Sequence, residues 1–510
     1  MTDLDTLVRK LDLDEKIAQL HGLILPALFA PGSGPGGPAL TIDADRIPLL
    51  RPHGLGHLSL SWMFPLGQDG LRNAYTAIQA KARELSRFGI GVLIHAEGLN
   101  GLVYGGAAQY PTAWAQAATW MPELIERSTT ITSAQFRDYG IHLCFSPVLD
   151  LARDPRWGRV HETFGEDPEL AAQLGAGFIH GIHGRGLDSG VLATGKHFLG
   201  YGHSEGGLNQ ARTSLGRRTL ADEHALPFRR AIEEAGLSVV MNSYNDIDGI
   251  PVAANRRLLT DLLRDQLGFT GLVVSDYDAV TMLHAVYHTA RDRAEAAAQA
   301  VTAGLDVELP ADESFSRLRE AVENDLVSEE AVDTAVRRVL EIKQRLDLIP
   351  GLAAGRPLRP PTAPDGAAAA AIGREIAEHA LTLLQNDGTL PLRPGTKLAV
   401  VGDLADELRI HFGAYTDVAN TEVPPAAQMI RTGRVPGIDP DKYLFTELFQ
   451  TRIPDVRARW ETMTREQYPQ RRRSSPRCAP TPPSRSASPA WTRPARSIGK
   501  PCGRPYAMPT

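Results

Sequence analysis

Cysteine is scarce in this sequence of 510 residues, and long apolar runs are absent from it. The three cysteines, Cys144, Cys478 and Cys502, have no close spacing, which argues against a zinc-type cysteine cluster and a disulfide framework. No apolar stretch approaches the ~18 residues that a membrane-spanning helix needs. The first 22 residues follow an amphipathic helical pattern and lack the basic start and apolar centre of a secretory signal. We therefore expect a cytoplasmic protein that does not enter a membrane.

Acidic residues are absent after Glu466. The segment from Gln467 to Thr510 contains nine Lys or Arg residues and ten prolines. Such a composition cannot bury enough apolar surface to offset the chain entropy lost on folding, so we predict a disordered basic tail over residues 466–510. Two explanations stay open: a native tail that binds nucleic acid or a membrane, and a shift of the reading frame near residues 460–470. We favour the frame shift, because a GC-rich gene read in the wrong frame yields mainly Arg, Pro, Ser and Ala.

The remainder of the chain has the opposite charge balance, with 45 basic and 60 acidic side chains before Gln467. A body of net negative charge repels phosphate backbones, so we expect no nucleic-acid partner. A hydrophobic fraction of 43% and a charged fraction of 22% are typical of globular proteins. The chain is also too long for one ordinary core, which predicts two or more domains.

Short apolar runs alternate with helical patterns between about residues 55 and 310. Continuous apolar strands separated by helices indicate a parallel sheet that is covered on both faces. Seven or eight such units predict an α/β fold of the (β/α)8 or TIM-barrel type, with a doubly wound open sheet as the alternative. The apolar runs are GHLSL at 56–60, GVLIH at 91–95, IHLCFSPVLD at 141–150, VLATGKHF at 191–198, LSVVMNSYND at 237–246, GLVVSDYDAV at 271–280 and GLDVELP at 304–310.

Composition divides the chain before the tail into three segments. We predict a catalytic barrel over residues 1–350 and a linker rich in Pro, Gly and Ala over residues 351–371. Residues 372–465 are predicted to form a partial α/β sandwich domain, because they are too few to complete a large sheet. Within it we expect a helix from Ile372 to Leu384 and a strand, KLAVVGD, at 397–403.

Polar residues end several of the predicted strands. Barrel enzymes assemble their active sites from the C-terminal ends of strands, so this repeated placement predicts a site at one end of the barrel. The strand-end groups are His95 to Glu97, Lys196 with His197, Asn242 to Asn245, and Ser275 with Asp276.

Several long motifs occur in one order along roughly residues 10–405, and together they resemble glycoside hydrolase family 3, in its β-glucosidase and β-xylosidase branch. The motifs are LDEKIAQLHG, HAEGLNG, RDPRWGRVHETFGEDPEL, KHFLGYGHSEGGLN, MNSYNDIDGIP, VVSDYDAV, GLDVELP and LLQNDGTLPL. The resemblance implies a barrel followed by an α/β sandwich, without metal or organic cofactor. It also implies exo-acting hydrolysis of β-linked oligosaccharides or of aryl and alkyl glycosides, with retention of configuration.

The resemblance implies a catalytic role for Asp276, which matches the family's nucleophile within SDY. A carboxylate nucleophile can hold the sugar covalently after an oxocarbenium-like transition state. The structural alternative for Asp276 is a helix N-cap after the strand. We expect Asp278 to be that cap instead.

Five further residues match positions that line the first sugar subsite in the family. They are Glu97, Arg159, Lys196, His197 and Tyr244. Charged donors and acceptors at these positions can bind several sugar hydroxyls at once. Structural alternatives stay open for two of them: Arg159 in an internal ion pair with Asp154, Glu162 or Asp167, and Tyr244 in plain packing.

The expected partner of the nucleophile is missing from the sequence. In relatives with this barrel the general acid/base is usually a Glu in a Gly-rich stretch of the sandwich domain, and nothing similar follows KLAVVGD. One branch, the β-N-acetylhexosaminidases, uses a histidine on a barrel loop, and His203 beside Glu205 is a candidate for that role. Three interpretations stay open: an active β-glycosidase, a sugar-binding relative without its acid/base, and a hexosaminidase. The choice between glucose and xylose and the oligomeric state stay open as well.

Overall fold

The structure, a computed structural model, describes residues 3–30, 40–61, 66–352, 358, 365–399, 401–402, 412–417, 428–439 and 465. The strands in these residues are β1 (Gly22–Ile24), β2 (His57–Ser59), β3 (Leu93–Ala96), β4 (Leu143–Cys144), β5 (Leu192–Phe198), β6 (Val239–Asn242), β7 (Asp246–Ile247), β8 (Ile250–Pro251) and β9 (Leu272–Val274). The α-helices are α1 (Leu4–Lys10), α2 (Leu13–Ala18), α3 (Ile47–Leu50), α4 (Gln68–Leu85), α5 (Ala113–Ala117), α6 (Pro122–Tyr139), α7 (Pro168–His183), α8 (Arg217–Thr219), α9 (Leu226–Ala235), α10 (Thr281–Ala285), α11 (Arg293–Ala303), α12 (Leu318–Glu323), α13 (Glu329–Arg345) and α14 (Gly366–His379). None of these described helices combines the length and the hydrophobicity of a membrane span.

Seven of the strands form one parallel sheet in the order β1-β2-β3-β4-β5-β6-β9. The segment 304–310 connects the two edges of this sheet. Val307 forms a parallel bridge with Val274 of β9, and Glu308 forms one with His21, next to β1. Because this segment joins the first strand to the last, the sheet closes into a barrel of tilted parallel strands. This confirms the predicted α/β barrel, and the doubly wound alternative is wrong.

The ends of the barrel helices are encoded locally in the sequence. Helix α6 has Pro122 at its first position and ends at Gly140, whose φ of 76° lies in the left-handed region that glycine adopts readily. Helix α7 follows Asp167, whose carboxylate accepts the Leu170 N–H at 2.7 Å, and it begins with Pro168. These signals fix where each helix starts, so the apolar positions that follow face the sheet.

Strand β1 was not among the predicted apolar runs. It has three residues and begins at Gly22, and such a short strand leaves no recognisable pattern. A Cβ atom at Gly22 would lie 2.7 Å from the Pro310 carbonyl oxygen. A close approach of the 304–310 segment, which the local sequence does not reveal, therefore requires the glycine.

A helix forms where one was predicted for Ile372–Leu384, but its ends differ, because α14 runs from Gly366 to His379. The Asp365 carboxylate caps this helix by accepting two backbone N–H groups of its first turn. Ile372 and Ile376 pack in a small apolar cluster with Leu124 of α6. The cap and the barrel surface together set the extent of α14, which also begins inside the predicted linker.

The strand predicted at 397–403 does not form among its described residues, 397–399 and 401–402. A strand needs a neighbour to accept and donate its backbone hydrogen bonds, and no described segment pairs with this one. Leu398 and Val401 are 62% and 87% exposed, and Leu384 is 92% exposed. Residues 400, 403–411, 418–427 and 440–464 of the predicted sandwich domain, and all of the predicted tail, lie outside the described residues.

Two described segments after α14 nevertheless pack on the barrel. Ile430 is fully buried within the main apolar core, and Val435 and Ile438 pack against that core. Phe412 and Thr416 are also buried, each about 4% exposed. The segment 412–417 lies at the barrel end that carries the polar strand ends, because its Tyr415 ring is 5.1 Å from the ammonium of Lys196 in β5.

Candidate active site

The C-terminal ends of the barrel strands bring the six main predicted site residues together. Parallel neighbouring strands end at the same rim, so side chains that follow them converge. The six residues are Glu97 after β3, Arg159 in the loop before α7, Lys196 and His197 within β5, Tyr244 after β6 and Asp276 after β9.

Asp276 has one carboxylate oxygen fixed by hydrogen bonds, and its other oxygen faces His197. Its Oδ1 accepts the Tyr244 hydroxyl at 2.9 Å and the Tyr277 N–H at 2.8 Å. Its own N–H donates to the Asn242 side chain at 3.3 Å. The Oδ2 atom lies 3.6 Å from Nε2 of His197, and 13% of the side chain is exposed. Hydrogen bonds at Oδ1 therefore hold the carboxylate in one orientation, and Oδ2 is the oxygen available to react.

Lys196 and Glu97 form a buried ion pair beside this carboxylate. The Nζ–Oε2 distance is 2.9 Å, and the two side chains are 2% and 6% exposed. Burial raises the pKa of Glu97, and the ammonium of Lys196 opposes that rise. An ammonium carries three donors, and Glu97 uses one of them here. The remaining donors are suited to sugar hydroxyl oxygens.

Arg159 is held by the carboxylate of Glu162 in a two-point contact. Its Nε and Nη2 atoms both donate to Glu162 at 2.8 Å. The predicted internal ion pair thus exists, with Glu162 as the partner. The same guanidinium still reaches the other site residues, because Nη2 also lies 3.0 Å from Nε2 of His197. Planar two-point binding orients an arginine better than a single contact would.

His197 lies between two carboxylates. Its Nδ1 atom is 2.7 Å from Oδ2 of Asp150, which also accepts the His197 backbone N–H at 2.9 Å. Its Nε2 atom faces Arg159 and Asp276. Burial lowers the pKa of His197 well below its ordinary value, and Arg159 and Lys196 act in the same direction. The imidazole is therefore neutral at physiological pH.

The segment 412–417 covers this group of charges with Tyr415. The Lys196 ammonium lies 5.1 Å from the centre of the Tyr415 ring, within the range of a cation–π contact. The Tyr415 hydroxyl accepts from Nη2 of Arg159 at 3.3 Å. The Asn100 side chain donates to the Ala414 carbonyl at 3.1 Å, which ties the segment to the barrel. Contacts to the site residues Lys196 and Arg159 thus come in part from the chain after the linker.

Each further buried carboxylate near Asp276 in the described part of the chain is already paired. Glu97 binds Lys196, and Glu162 binds Arg159. Asp150 binds His197, and burial raises the pKa of Asp150 to about 7. Burial also raises the pKa of Asp276, although Arg159 and Lys196 oppose the rise. None of these three carboxyl groups, Glu97, Glu162 and Asp150, is left unpaired to serve as the general acid.

One other prediction from the sequence is wrong. Asp278 does not cap the next helix, because α10 begins at Thr281 and its N-cap position is Val280. The candidate role of His203 as acid/base stays a hypothesis, and the carboxylate of its neighbour Glu205 binds Arg212 and Ser214. The His203 side chain is exposed on the loop after β5.

Comparisons with known proteins identify the family of the chain. The glycosyl hydrolase family 3 N terminal domain matches residues 12–342, which is more than half of the chain. The chain belongs to glycosyl hydrolase family 3. Within family 3, a β-xylosidase from Formosa agariphila is 35% identical over 350 residues, covering 64% of this chain and 48% of the relative.

Solved structures of β-glucosidases resemble the same part of the chain. One from Erythrobacter marinus superposes with a TM-score of 0.67 at 32% identity, covering 76% of this chain and 51% of that one. One from Listeria innocua in complex with glucose gives a TM-score of 0.65 at 29% identity, covering 77% and 53%. The chain therefore spans about half the length of the family 3 relatives that it matches.

Three residues of the site were not predicted. Asp150 ends an apolar run just as Asp276 does, so the signal for it was present in the sequence. Tyr201 follows the KHF motif and bonds Arg159 through its hydroxyl at 3.5 Å. No pattern in the sequence marked Tyr415 as a site residue, because only the tertiary structure brings it to the barrel.

Proposed function

We propose that this protein is a retaining β-glycosidase with Asp276 as its nucleophile. The observation that supports it best is the asymmetry of that carboxylate, with Oδ1 fixed by Tyr244 and Tyr277 and Oδ2 3.6 Å from Nε2 of His197. In the first step Oδ2 forms a bond to the anomeric carbon while the bond to the aglycone oxygen breaks, and that oxygen keeps the electron pair. In the second step water attacks the same carbon, loses a proton to a base and releases the carboxylate.

Exo-action on a terminal β-linked glucoside or xyloside fits the other contacts. The Lys196–Glu97 pair, the Arg159–Glu162 pair and His197 supply donors and acceptors around one small region, which suits the hydroxyls of a single sugar ring. Tyr415 covers this region from one side, as a pocket for a chain end requires. A related β-glucosidase binds glucose in its structure, which supports a sugar in this pocket here.

Covalent labelling tests the proposed nucleophile. An activated 2-deoxy-2-fluoro aryl glycoside, in its gluco and xylo forms, should leave one sugar on the peptide that contains Ser275 to Tyr277. Asp276→Asn should abolish the label, because an amide is a far weaker nucleophile. Labelling at another residue, or an inverted anomeric configuration of the product, would contradict the assignment. The faster of the two sugars identifies the preferred substrate.

A sugar-binding or catalytically weakened protein is the second candidate. It is favoured by the pairing of every other buried carboxylate near Asp276 in the described residues. An aryl leaving group needs little protonation, whereas the alcohol released from a disaccharide needs a general acid. Cleavage of a dinitrophenyl glycoside without cleavage of cellobiose or xylobiose would identify this case. Cleavage of both at comparable rates would exclude it.

A hexosaminidase that uses His203 is the weakest candidate, since its proposed partner Glu205 is bound elsewhere. An N-acetylglucosaminide substrate and the His203→Ala variant test it together. The cytoplasmic location stays a prediction that cell fractionation can check.

A further inference from the structure

The buried carboxylate of Asp150 binds His197 at both its backbone N–H and its ring. Its Oδ2 atom accepts the backbone N–H of His197 at 2.9 Å and lies 2.7 Å from Nδ1 of the same ring. Both side chains are 1% exposed, so solvent does not compete for these bonds. A carboxylate that contacts one residue at both its backbone and its ring fixes the position and the rotation of that ring.

The other ring nitrogen has a donor opposite it, which decides where the proton lies. Nη2 of Arg159 is 3.0 Å from Nε2 of His197. A guanidinium only donates hydrogen bonds, so Nε2 must accept. The proton of the neutral ring is then on Nδ1, where it donates to Asp150. The two nitrogens of an imidazole differ in this way when one of them has a carboxylate partner.

We propose that Asp150 is a positioning residue that holds His197 in its Nδ1–H form and so keeps Nε2 as an acceptor facing the sugar pocket. A proton on Nε2 would point at Oδ2 of Asp276, which lies 3.6 Å away. It would also oppose the N–H of Arg159. A hydrogen bond to Oδ2 would occupy the oxygen that forms the glycosyl bond. Asp150 therefore leaves that oxygen without a donor from His197, although it touches neither substrate nor nucleophile itself.

The other groups around the ring are consistent with this arrangement. Arg159 and Lys196 are both positive and disfavour a second proton on His197. The Tyr201 ring packs edge-on against the imidazole at 5.1 Å between centres and restricts its rotation. Among the described residues, the carboxylate of Asp276 also faces Nε2, at 3.6 Å. Asp150 is thus the acceptor that selects which nitrogen carries the proton.

The tautomer can be measured without any activity. In protein labelled with ¹⁵N-histidine, the signals lost in His197→Gln identify the His197 nitrogens, and we expect a protonated Nδ1 and an unprotonated Nε2. In Asp150→Asn, which keeps the shape of the side chain, we expect a second population protonated at Nε2. A wild-type ring protonated at Nε2 would overturn the proposal, whatever the function of the protein.

The effect on rate rests on the proposed function and is measured separately. Inactivation by the 2,4-dinitrophenyl 2-deoxy-2-fluoro glycoside gives a first-order rate at saturation and a binding constant. Removal of the orienting carboxylate of a catalytic histidine in another enzyme lowers turnover by about 10⁴ through the wrong tautomer. We expect Asp150→Asn to lower the saturated rate by on the order of 10²–10⁴ and to change the binding constant much less.

The matched control is Asp154→Asn on the same loop. The Asp154 carboxylate binds Arg156 at 2.7 Å, and the Arg156 side chain is 70% exposed. This variant should keep the wild-type tautomer and the wild-type rate of labelling. Wild-type labelling at Asp276 together with an unchanged rate in Asp150→Asn would overturn the proposal and leave the function intact. A wild-type protein that is not labelled at all would instead count against the proposed function.

Discussion

Replacing Lys196 by methionine should separate the structural role of the buried ion pair from its role in the site. Methionine keeps most of the volume and the unbranched shape of the lysine chain while it removes the ammonium. Glu97 then loses the cation with which it pairs at 2.9 Å, and it has 6% of its side chain exposed to water. Its pKa, which burial already raises, should rise further.

The size of both effects follows from this burial. Breaking a buried pair by removing one partner costs about 3–5 kcal/mol, because the remaining charge has no compensation. We therefore expect the free energy of unfolding to fall by roughly 3 kcal/mol, with part of the loss relieved by proton uptake at Glu97. Loss of a preorganised donor to the sugar should lower turnover of an aryl glycoside by on the order of 10²–10³.

The double variant Lys196→Met/Glu97→Gln distinguishes the two roles. It removes the orphaned charge, so most of the lost stability should return in urea unfolding, whereas turnover should stay low. Lys16→Met is the matched control, since Lys16 is 6% exposed on its side chain but pairs with Glu329 and Asp333, which are 49% and 36% exposed. Those carboxylates remain hydrated, so this control should cost about 1 kcal/mol or less and leave turnover unchanged.

Two outcomes would refute this reasoning. If Lys196→Met unfolds within about 0.5 kcal/mol of the wild type, the buried pair does not carry the energy assigned to it. If the double variant recovers turnover together with stability, Lys196 acts through the fold and not through the substrate.

The remaining predictions concern a buried lysine and the cover of the pocket. Burial lowers the pKa of Lys343 to about 7, so the unfolded state binds more protons than the folded state from there up to the ordinary lysine value. Lys343→Met should therefore stabilise the protein at pH 7 by roughly 2–4 kcal/mol, a figure that already subtracts the lost hydrogen bond to Gln19. The gain in stability should shrink as the pH rises towards 10. Unfolding measured across this pH range tests both expectations. Tyr415→Phe should raise KM for an aryl glycoside a few-fold by releasing Arg159, and Tyr415→Ala should raise it about tenfold or more. Leu384→Ala, at a residue 92% exposed, should leave KM unchanged, and equal KM values in all three variants would show that Tyr415 does not cover the pocket.

The pH dependence of catalysis should follow the direction of the shift at Asp276. Because burial raises the pKa of this carboxyl, the acid limb of kcat/KM should lie above the ordinary pKa of an aspartate. The pH profile of labelling by the fluoro glycoside reports the same group without any need for a general acid. An acid limb below the ordinary aspartate value would mean that Arg159 and Lys196 dominate over burial.

The sequence by itself determined the barrel and the positions of its polar strand ends. Runs such as LVV in β9 are fully buried on both faces, so they are continuously apolar and can be recognised without a structure. The helix ends at Asp167 and Gly140 are also determined by local sequence, because capping depends on residues within a few positions. Five of the six residues that converge at the rim belong to predicted strand-end groups, and parallel strands end at one side. The choice of these residues within the groups, and of Arg159 outside them, came from the resemblance to the family.

The tertiary structure alone decided the contacts between distant segments. Strand β1 depends on the close approach of Pro310 to Gly22, and the strand predicted at 397–403 lacks a partner among the described residues. The pairing of Asp150 with His197 and the position of Tyr415 over Lys196 depend on which strands and loops are neighbours in space. Local sequence patterns predict helices and strands through residue propensity and hydrophobic periodicity. A hydrogen bond between remote segments forms only when the closed barrel brings its donor and acceptor atoms within about 3 Å of each other.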